Sequence, residues 1–170
     1  MNEMLVREPG DARDLRTAFG RFGTGVTIVT TVTADGAWVG LTANSFNTVS
    51  LEPPIVVWSL SNKSPSLQAF QQSGCFAVNV LSQEQLPLSQ RFARPIPNKF
   101  DNADTQPGLR GVPLLAGSAA IFECRTVMQQ QMGDHLLFLG QVDRYAYQES
   151  QPLIYLNGQY AQAHALALSA

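Results

Sequence analysis

The chain has 170 residues, 45% of them apolar and 14% charged, with a formal net charge of −2. That length suits one domain, spanning 1–170, with a core large enough to stand without disulfide or metal staples, and the charge balance excludes a protein that gains its affinity by neutralising nucleic-acid phosphates. No apolar run reaches the roughly 18 residues of a membrane span, and the opening MNEMLVREPGDARD lacks the apolar stretch of a secretory leader, so a cytoplasmic protein without a membrane partner is expected.

PGDARDLRTAFGRF predicts a first helix. Asp11 is placed to cap it, Leu15, Ala18, Phe19 and Phe22 recur on one face, and Gly23 and Gly25 end it. From Val26 the pattern alternates with β-branched residues, VTIVTTVT, turns at Ala34-Asp35-Gly36 and returns through AWVGLTANSF as a hairpin. IVVWSLS, after Pro53 and Pro54, reads as a strand buried on both faces. SPSLQAFQQSG follows as a short helix with Ser64 at its N-cap, Pro65 first and Gly74 past the end. CFAVNVL is the next strand, and SQEQLPLSQRFA opens another short helix with a capping-box pattern from Ser82 to Gln85.

Residues 94–113 carry four prolines among Asn, Asp and Gly and read as a long irregular loop. SAAIFECRTVMQQQ, HLLFLGQVDRYAYQ and PLIYLNGQY are three further strands. Six or seven strands, joined by connections too short for crossover helices, exclude a doubly wound parallel sheet and favour an antiparallel barrel with small helices at its rim. The sparse surface charge leaves room for self-association, and a homodimer is the expectation. Cys75 and Cys124 each lie in a strand-like stretch, where buried free thiols fit better than a disulfide.

The inventory of reactive groups is thin. The chain has two histidines, His135 and His164, and its cysteines lack metal-ligand spacing. No nucleophile elbow, Walker loop or paired-histidine motif appears. What remains is polar loops on an apolar scaffold, the arrangement expected when a protein holds a ligand that carries its own reactivity. GLTANSFNTVSLEPP, residues 40–54, sets short hydrogen-bonding side chains between two strands, and these can donate to phosphate oxygens or ring carbonyls. SNKS, residues 61–64, adds Lys63 ahead of a helix start, a favourable place for an anion. Ser, Thr and Asn also build ordinary turns, and Ser64-Pro65 is equally explained as a helix cap. In MGDHLLFLGQV, His135 opens a strand after a Gly133-Asp134 turn, which suits either ligand contact or a half-exposed turn histidine.

GRFGTGVTIVT, GLTANSFNTVSLEPPIVVWSL, CFAVNVLSQEQLPLSQRFA, GDHLLFLGQV and PLIYLNGQY occur in one order, over about residues 14–162, that resembles the flavin reductase-like family, the small reductase components of two-component flavin monooxygenases. The resemblance implies a mainly β, Greek-key, antiparallel split barrel, a homodimer, FMN or FAD as the bound flavin, and NADH or NADPH as hydride donor. Reduced flavin would then reach a separate oxygenase by diffusion. It implies that Thr42, Ala43, Asn44 and Ser45 hold the phosphate and ribityl side, that Val49 and Ser50 present backbone to the isoalloxazine, and that Asn62, Lys63 and Ser64 complete the phosphate site. Arg91 and Phe92 would border the flavin or its adenylate extension. Gly133, Asp134 and His135 would form the nicotinamide side, with His135 in the catalytic role and Tyr160 nearby. FARPIPNKF departs from the family's pattern by placing Arg94 where a small residue is usual. A flavin-binding barrel without reductase turnover is the alternative, and the GDH segment favours the enzyme.

Overall fold

A computed structural model describes residue 4 and residues 6–166. Helix α1, Ala12–Phe19, is capped by Asp11, whose carboxylate accepts the backbone N–H groups of Arg13 and Asp14, and it ends at Gly20, earlier than the glycines at 23 and 25 suggest. Strands β1 (Thr24–Gly25), β2 (Thr27–Val32), β3 (Trp38–Ala43), β4 (Asn47–Leu51) and β5 (Pro54–Ser61) come next. Helix α2 (Leu67–Ser73), β6 (Cys75–Val80), a 3₁₀ turn (Gln83–Gln85) and α3 (Leu86–Phe92) precede the short strands β7 (Thr105–Pro107) and β8 (Pro113–Leu115). The long strands β9 (Ala120–Met132) and β10 (His135–Tyr147) and the hairpin β11 (Leu153–Leu156) and β12 (Gln159–Gln162) complete the described chain.

Seven strands form one antiparallel sheet in the order β3-β2-β6-β9-β10-β5-β4. Its two outermost strands, β3 and β4, are consecutive in the chain, joined only by residues 44–46. Laid flat, six inter-strand spacings of about 4.8 Å would separate those edges by about 29 Å. Four Cα steps reach no more than about 14 Å. The sheet must therefore curl until its edges nearly meet, and β3 and β4 do not pair with each other. The result is a barrel split along one seam, with residues 44–46 strapped across it.

The barrel interior is filled by Val29, Val56, Trp58, Leu60, Phe70, Phe76, Val78, Cys124, Leu136 and Phe138. Strand β2 is buried on both faces because a second cluster, Val26, Ile28, Leu81, Phe92, Leu115 and Leu153, lies on its outer side. Burial pushes the Cys124 thiol up to about 12, with the charges of Asp143 and Glu123 adding to the effect, and both cysteines are free.

Several sequence expectations change. Strand β5 alternates: Val56, Trp58 and Leu60 are buried while its other face stays half-exposed, so only one face meets the core. Helix α2 begins at Leu67 with Ser66 at its N-cap, and Ser64 instead closes the preceding turn, its hydroxyl accepting Ser66 N–H at 3.3 Å and its carbonyl accepting Leu67 N–H at 3.1 Å. The proline-rich segment 94–113 contains β7, whose Pro107 stands opposite Pro113 at one end of a two-stranded ladder with β8. PLIYLNGQY is a hairpin turning at Asn157-Gly158, both at positive φ, the pair that two-residue hairpin loops favour.

Candidate functional site

The strap explains its own composition. Where β3 runs out, backbone groups no longer have a ladder partner, and a side chain must substitute. Ser45 does so, its Oγ donating to the Ser59 carbonyl at 2.9 Å and accepting Ser59 N–H at 3.0 Å, which fastens the strap to β5. Thr27 Oγ1 donates to the Ala43 carbonyl at 2.7 Å, and Thr42 Oγ1 donates to the Ser89 carbonyl of α3 at 2.7 Å. Ser89 Oγ in turn lies 2.9 Å from the Tyr160 hydroxyl. A cavity of about 210 Å³ opens here, lined by Val26, Thr42, Ala43, Asn44, Ala93, Tyr155 and Tyr160. Downstream, β4 carries a bulge: Thr48 pairs with Val56 and Ser50 with Ile55, leaving Val49 as the extra residue with its backbone outside the regular ladder. Bulges concentrate beside functional sites because they free and re-aim such groups.

The second polar segment starts where β5 ends. Asn62 N–H donates to the Asp134 carbonyl at 2.9 Å, and its side-chain amide reaches the Gly133 carbonyl at 3.5 Å. His135 stands opposite Ser61 in the β10–β5 ladder. Residues 62–64 and 133–135 are thus one surface. The strap's anchor at Ser59 lies three residues before Asn62, about 10 Å along the strand. His135 Nδ1 sits 2.7 Å from an Asp134 carboxylate oxygen, which fixes the ring through that nitrogen and leaves Nε2 as the other edge. This hydrogen bond chiefly, with the nearby Lys63 charge as a smaller influence, holds the Asp134 carboxyl below the usual carboxylate range.

Two expected residues fall elsewhere. Phe92 is 1% exposed, enclosed by the outer core and edge-on to Phe100 at 5.0 Å, and does not line this cavity. The helical phase turns it inward, and its neighbour Ala93 forms the cavity wall. Arg91 braces the following loop instead, donating to the Asp101 carbonyl at 2.5 Å and the Lys99 carbonyl at 3.5 Å. Sequence reasoning missed Ser59, Ser89, Ala93 and Tyr155. Only the polar positions alternating with Trp58 and Leu60 in β5 hinted at Ser59.

No carboxylate lines the 210 Å³ cavity, and the described residues contain no cluster able to hold a metal ion. With the Ser45 and Thr42 hydroxyl protons committed to carbonyls, the strap's amides, backbone freed by a bulge and a lysine on the neighbouring turn are the donors that suit a phosphate-bearing ring system. A larger recess of about 700 Å³ between residues 82–85 and 148–151 contains none of these residues. A split barrel with such a strap defines a class of protein that binds and orients a reactive ligand and leaves the chemistry to it.

Comparison with known proteins supplies the particular family. The flavin reductase like domain matches residues 19–164. FMN reductase (NADH) SmoA of Agrobacterium fabrum is 41% identical over 162 residues, 95% of this chain and 92% of its own. The reductase component of flavin-dependent trigonelline monooxygenase from Acinetobacter baylyi is 38% identical over 148 residues, and the match spans 87% of this chain but 48% of that protein. The NADH:FAD oxidoreductase SgcE6 of Streptomyces globisporus C-1027, solved in complex with NAD and FAD fragments, superposes with a TM-score of 0.90 at 33% identity, covering 96% of this chain and 99% of that one. The chain belongs to the flavin reductase-like family.

Proposed function

We infer that Thr42, Ala43, Asn44 and Ser45, together with Asn62, Lys63 and Ser64, hold the flavin of an NAD(P)H-dependent flavin reductase. The family makes the chain an oxidoreductase that reduces FMN or FAD with a reduced nicotinamide, and a component that serves a separate monooxygenase. The observation that carries the residue assignment is the meeting of both polar segments at one end of β5, the strap tied to Ser59 and the 62–64 turn continuing from Ser61.

When bound, the flavin supplies the hydride acceptor, and the nicotinamide the hydride. The chain supplies orientation, which alone lowers such a barrier substantially. The strap's amides donate to the phosphate and ribityl side, Lys63 adds a point charge, and the bulge at Val49 with Ser50 turns backbone toward the ring. Gly133, Asp134 and His135 flank the nicotinamide side, with Tyr160 held through Ser89. His135 is a positioning residue, its free Nε2 edge aimed by Asp134.

Mixing the protein with NADH and excess FMN and following the nicotinamide absorbance tests the activity. Steady oxidation is expected, and binding of FMN without turnover would establish the non-catalytic alternative instead. In His135→Ala, KM for NADH rises with kcat/KM falling about tenfold, roughly 1.4 kcal/mol. His135→Asn, which keeps a hydrogen-bonding edge, recovers part of it. Unchanged NADH affinity and rate in the alanine variant would remove His135 from the site.

The reading extends to a single domain, a cytoplasmic location and a homodimer. Among the described residues no helix is long and apolar enough to cross a membrane. The dimer is supported by apolar surface that one chain leaves open: α1 buries none of its residues, and Phe19, Phe22, Met128 and Tyr145 are all exposed. Sedimentation equilibrium should give twice the chain mass, and a monomer at micromolar concentration would reject it.

A further inference from the structure

A cleft of about 490 Å³ opens between α1 and the turn of the β11–β12 hairpin. The helical repeat sets Arg13, Arg16, Thr17 and the cap residue Gly20 on one face of α1, and all four line the cleft, as does Arg21. Leu15 and Phe19 fall on another face, so the cleft and the apolar surface of the helix do not compete. The turn is fastened to the helix end: Asn157 N–H donates to the Gly20 carbonyl at 2.8 Å, and Asn157 and Gly158 form the far wall.

The cleft is cationic, and its charge is unanswered. All three arginines are exposed, and among the described residues none of them enters an ion pair. The carboxylates of this region are engaged otherwise. Asp11 caps the helix, Asp14 is bridged by Arg7, and both line a neighbouring recess, which Arg21 also borders. No carboxylate lines the arginine cleft itself. Such segregation has a consequence in a chain whose 13 acidic residues outnumber its 11 Lys and Arg. A net negative protein repels an acidic partner unless a local patch outweighs the whole.

Arg13 and Arg16 stand about 4.5 Å apart along the helix axis, and Arg21 follows past its end. A row of this kind suits several carboxylates on one segment better than one small anion. Its position is also informative. Tyr155 and Tyr160, which line the 210 Å³ cavity, face each other two residues from the Asn157-Gly158 turn, so the cleft lies about 7 Å along the hairpin from that cavity. We propose that the α1 arginine cleft docks a carboxylate-rich segment of the monooxygenase that this chain serves, holding that partner beside the cavity from which reduced flavin departs. The proposal rests on the reading of the chain as a reductase component.

Fluorescence anisotropy of a labelled oligoglutamate peptide, titrated with the purified chain, tests it, with oligolysine as the control peptide. Oligoglutamate is expected to bind, more weakly as salt is raised, and oligolysine is not. Arg13→Gln/Arg16→Gln weakens binding about tenfold, since each exposed ion pair is worth roughly a factor of three. Arg94→Gln, which removes an exposed charge elsewhere, leaves it unchanged. Neither change should alter folding or NADH-driven FMN reduction, because α1 buries none of its residues and its arginines line no part of the 210 Å³ cavity. A peptide that does not bind, or an affinity that the double substitution leaves intact or that Arg94→Gln lowers equally, would overturn the docking cleft. Complete displacement of the peptide by inorganic phosphate at matched ionic strength would overturn it too, marking a small-anion pocket. Absence of FMN reduction by the unaltered chain would instead overturn the reductase reading, so the two failures are told apart.

Discussion

Trp58→Ala lowers the unfolding free energy by about 3–5 kcal/mol, the range for removing a large aromatic side chain from a core. Trp58 is 0% exposed and stacks on Phe138, its cross-strand partner, at 4.8 Å. It also meets Phe70 at 4.9 Å and Phe76 at 5.8 Å. Three rings from β10, α2 and β6 thus lose their common neighbour, and in a curled sheet the strands cannot close on the void without shifting register. At about 2–4 °C per kcal/mol for a chain of this size, the melting temperature falls by about 6–20 °C. Trp58→Phe separates shape from hydrogen bonding. The buried Nε1 has no partner, so phenylalanine loses no bond there, keeps a stacking ring, and should cost less than about 1.5 kcal/mol. Measurements at fixed protein concentration keep self-association from masking the difference. An alanine variant that melts within a few degrees of the parent would mean that the barrel interior is not the main source of stability.

Ala93→Trp has the largest expected effect on function. Ala93 is the exposed cap residue of α3 and forms the wall of the 210 Å³ cavity opposite Thr42, Ala43 and Asn44. An indole at that position fills space the flavin needs, and flavin affinity should fall about a hundredfold or more, at least about 2.7 kcal/mol. Because the parent side chain is small and solvent-facing, thermal stability should change little. Retained flavin affinity in a folded Ala93→Trp protein would place the ligand elsewhere.

Legibility followed the strength of local pattern. The β2–β3 hairpin, β5 and β6 were readable because apolar, largely β-branched runs bounded by turn residues mark strands that face a core, although the one-sided burial of β5 was not read. The capping box at Ser82 and Gln85 was equally readable, since its two reciprocal hydrogen bonds are set by local sequence. Strand β4 was not, because an edge strand exposed on most of its length carries no apolar alternation, and its Asn, Thr and Ser read as a loop. The same holds for β7 and β8, whose prolines are tolerated at the end of a short two-stranded ladder. These strands exist because closure of the barrel brings their partners close, which no local window encodes.

The site divides in the same way. Donor-rich segments at 42–45 and 62–64 stand out in composition, and the turn at 133–135 is marked by Gly and Asp. Their meeting at one end of β5 depends on the strap crossing the seam, a property of strand order. Phe92 entered through the family resemblance and not through any local pattern, and its helical phase buries it while exposing Ala93. Ser89 gave no sign of linking Thr42 to Tyr160, since its hydroxyl and carbonyl find those partners only across α3, β3 and β12.

Backbone amide NMR on addition of FMN measures the central claim most directly, because every residue of both polar segments that has an N–H reports separately. The largest shifts should fall at residues 42–45, 62–64 and 133–135. Shifts concentrated instead around 82–85 and 148–151, in the larger recess, with the strap unmoved, would contradict the account.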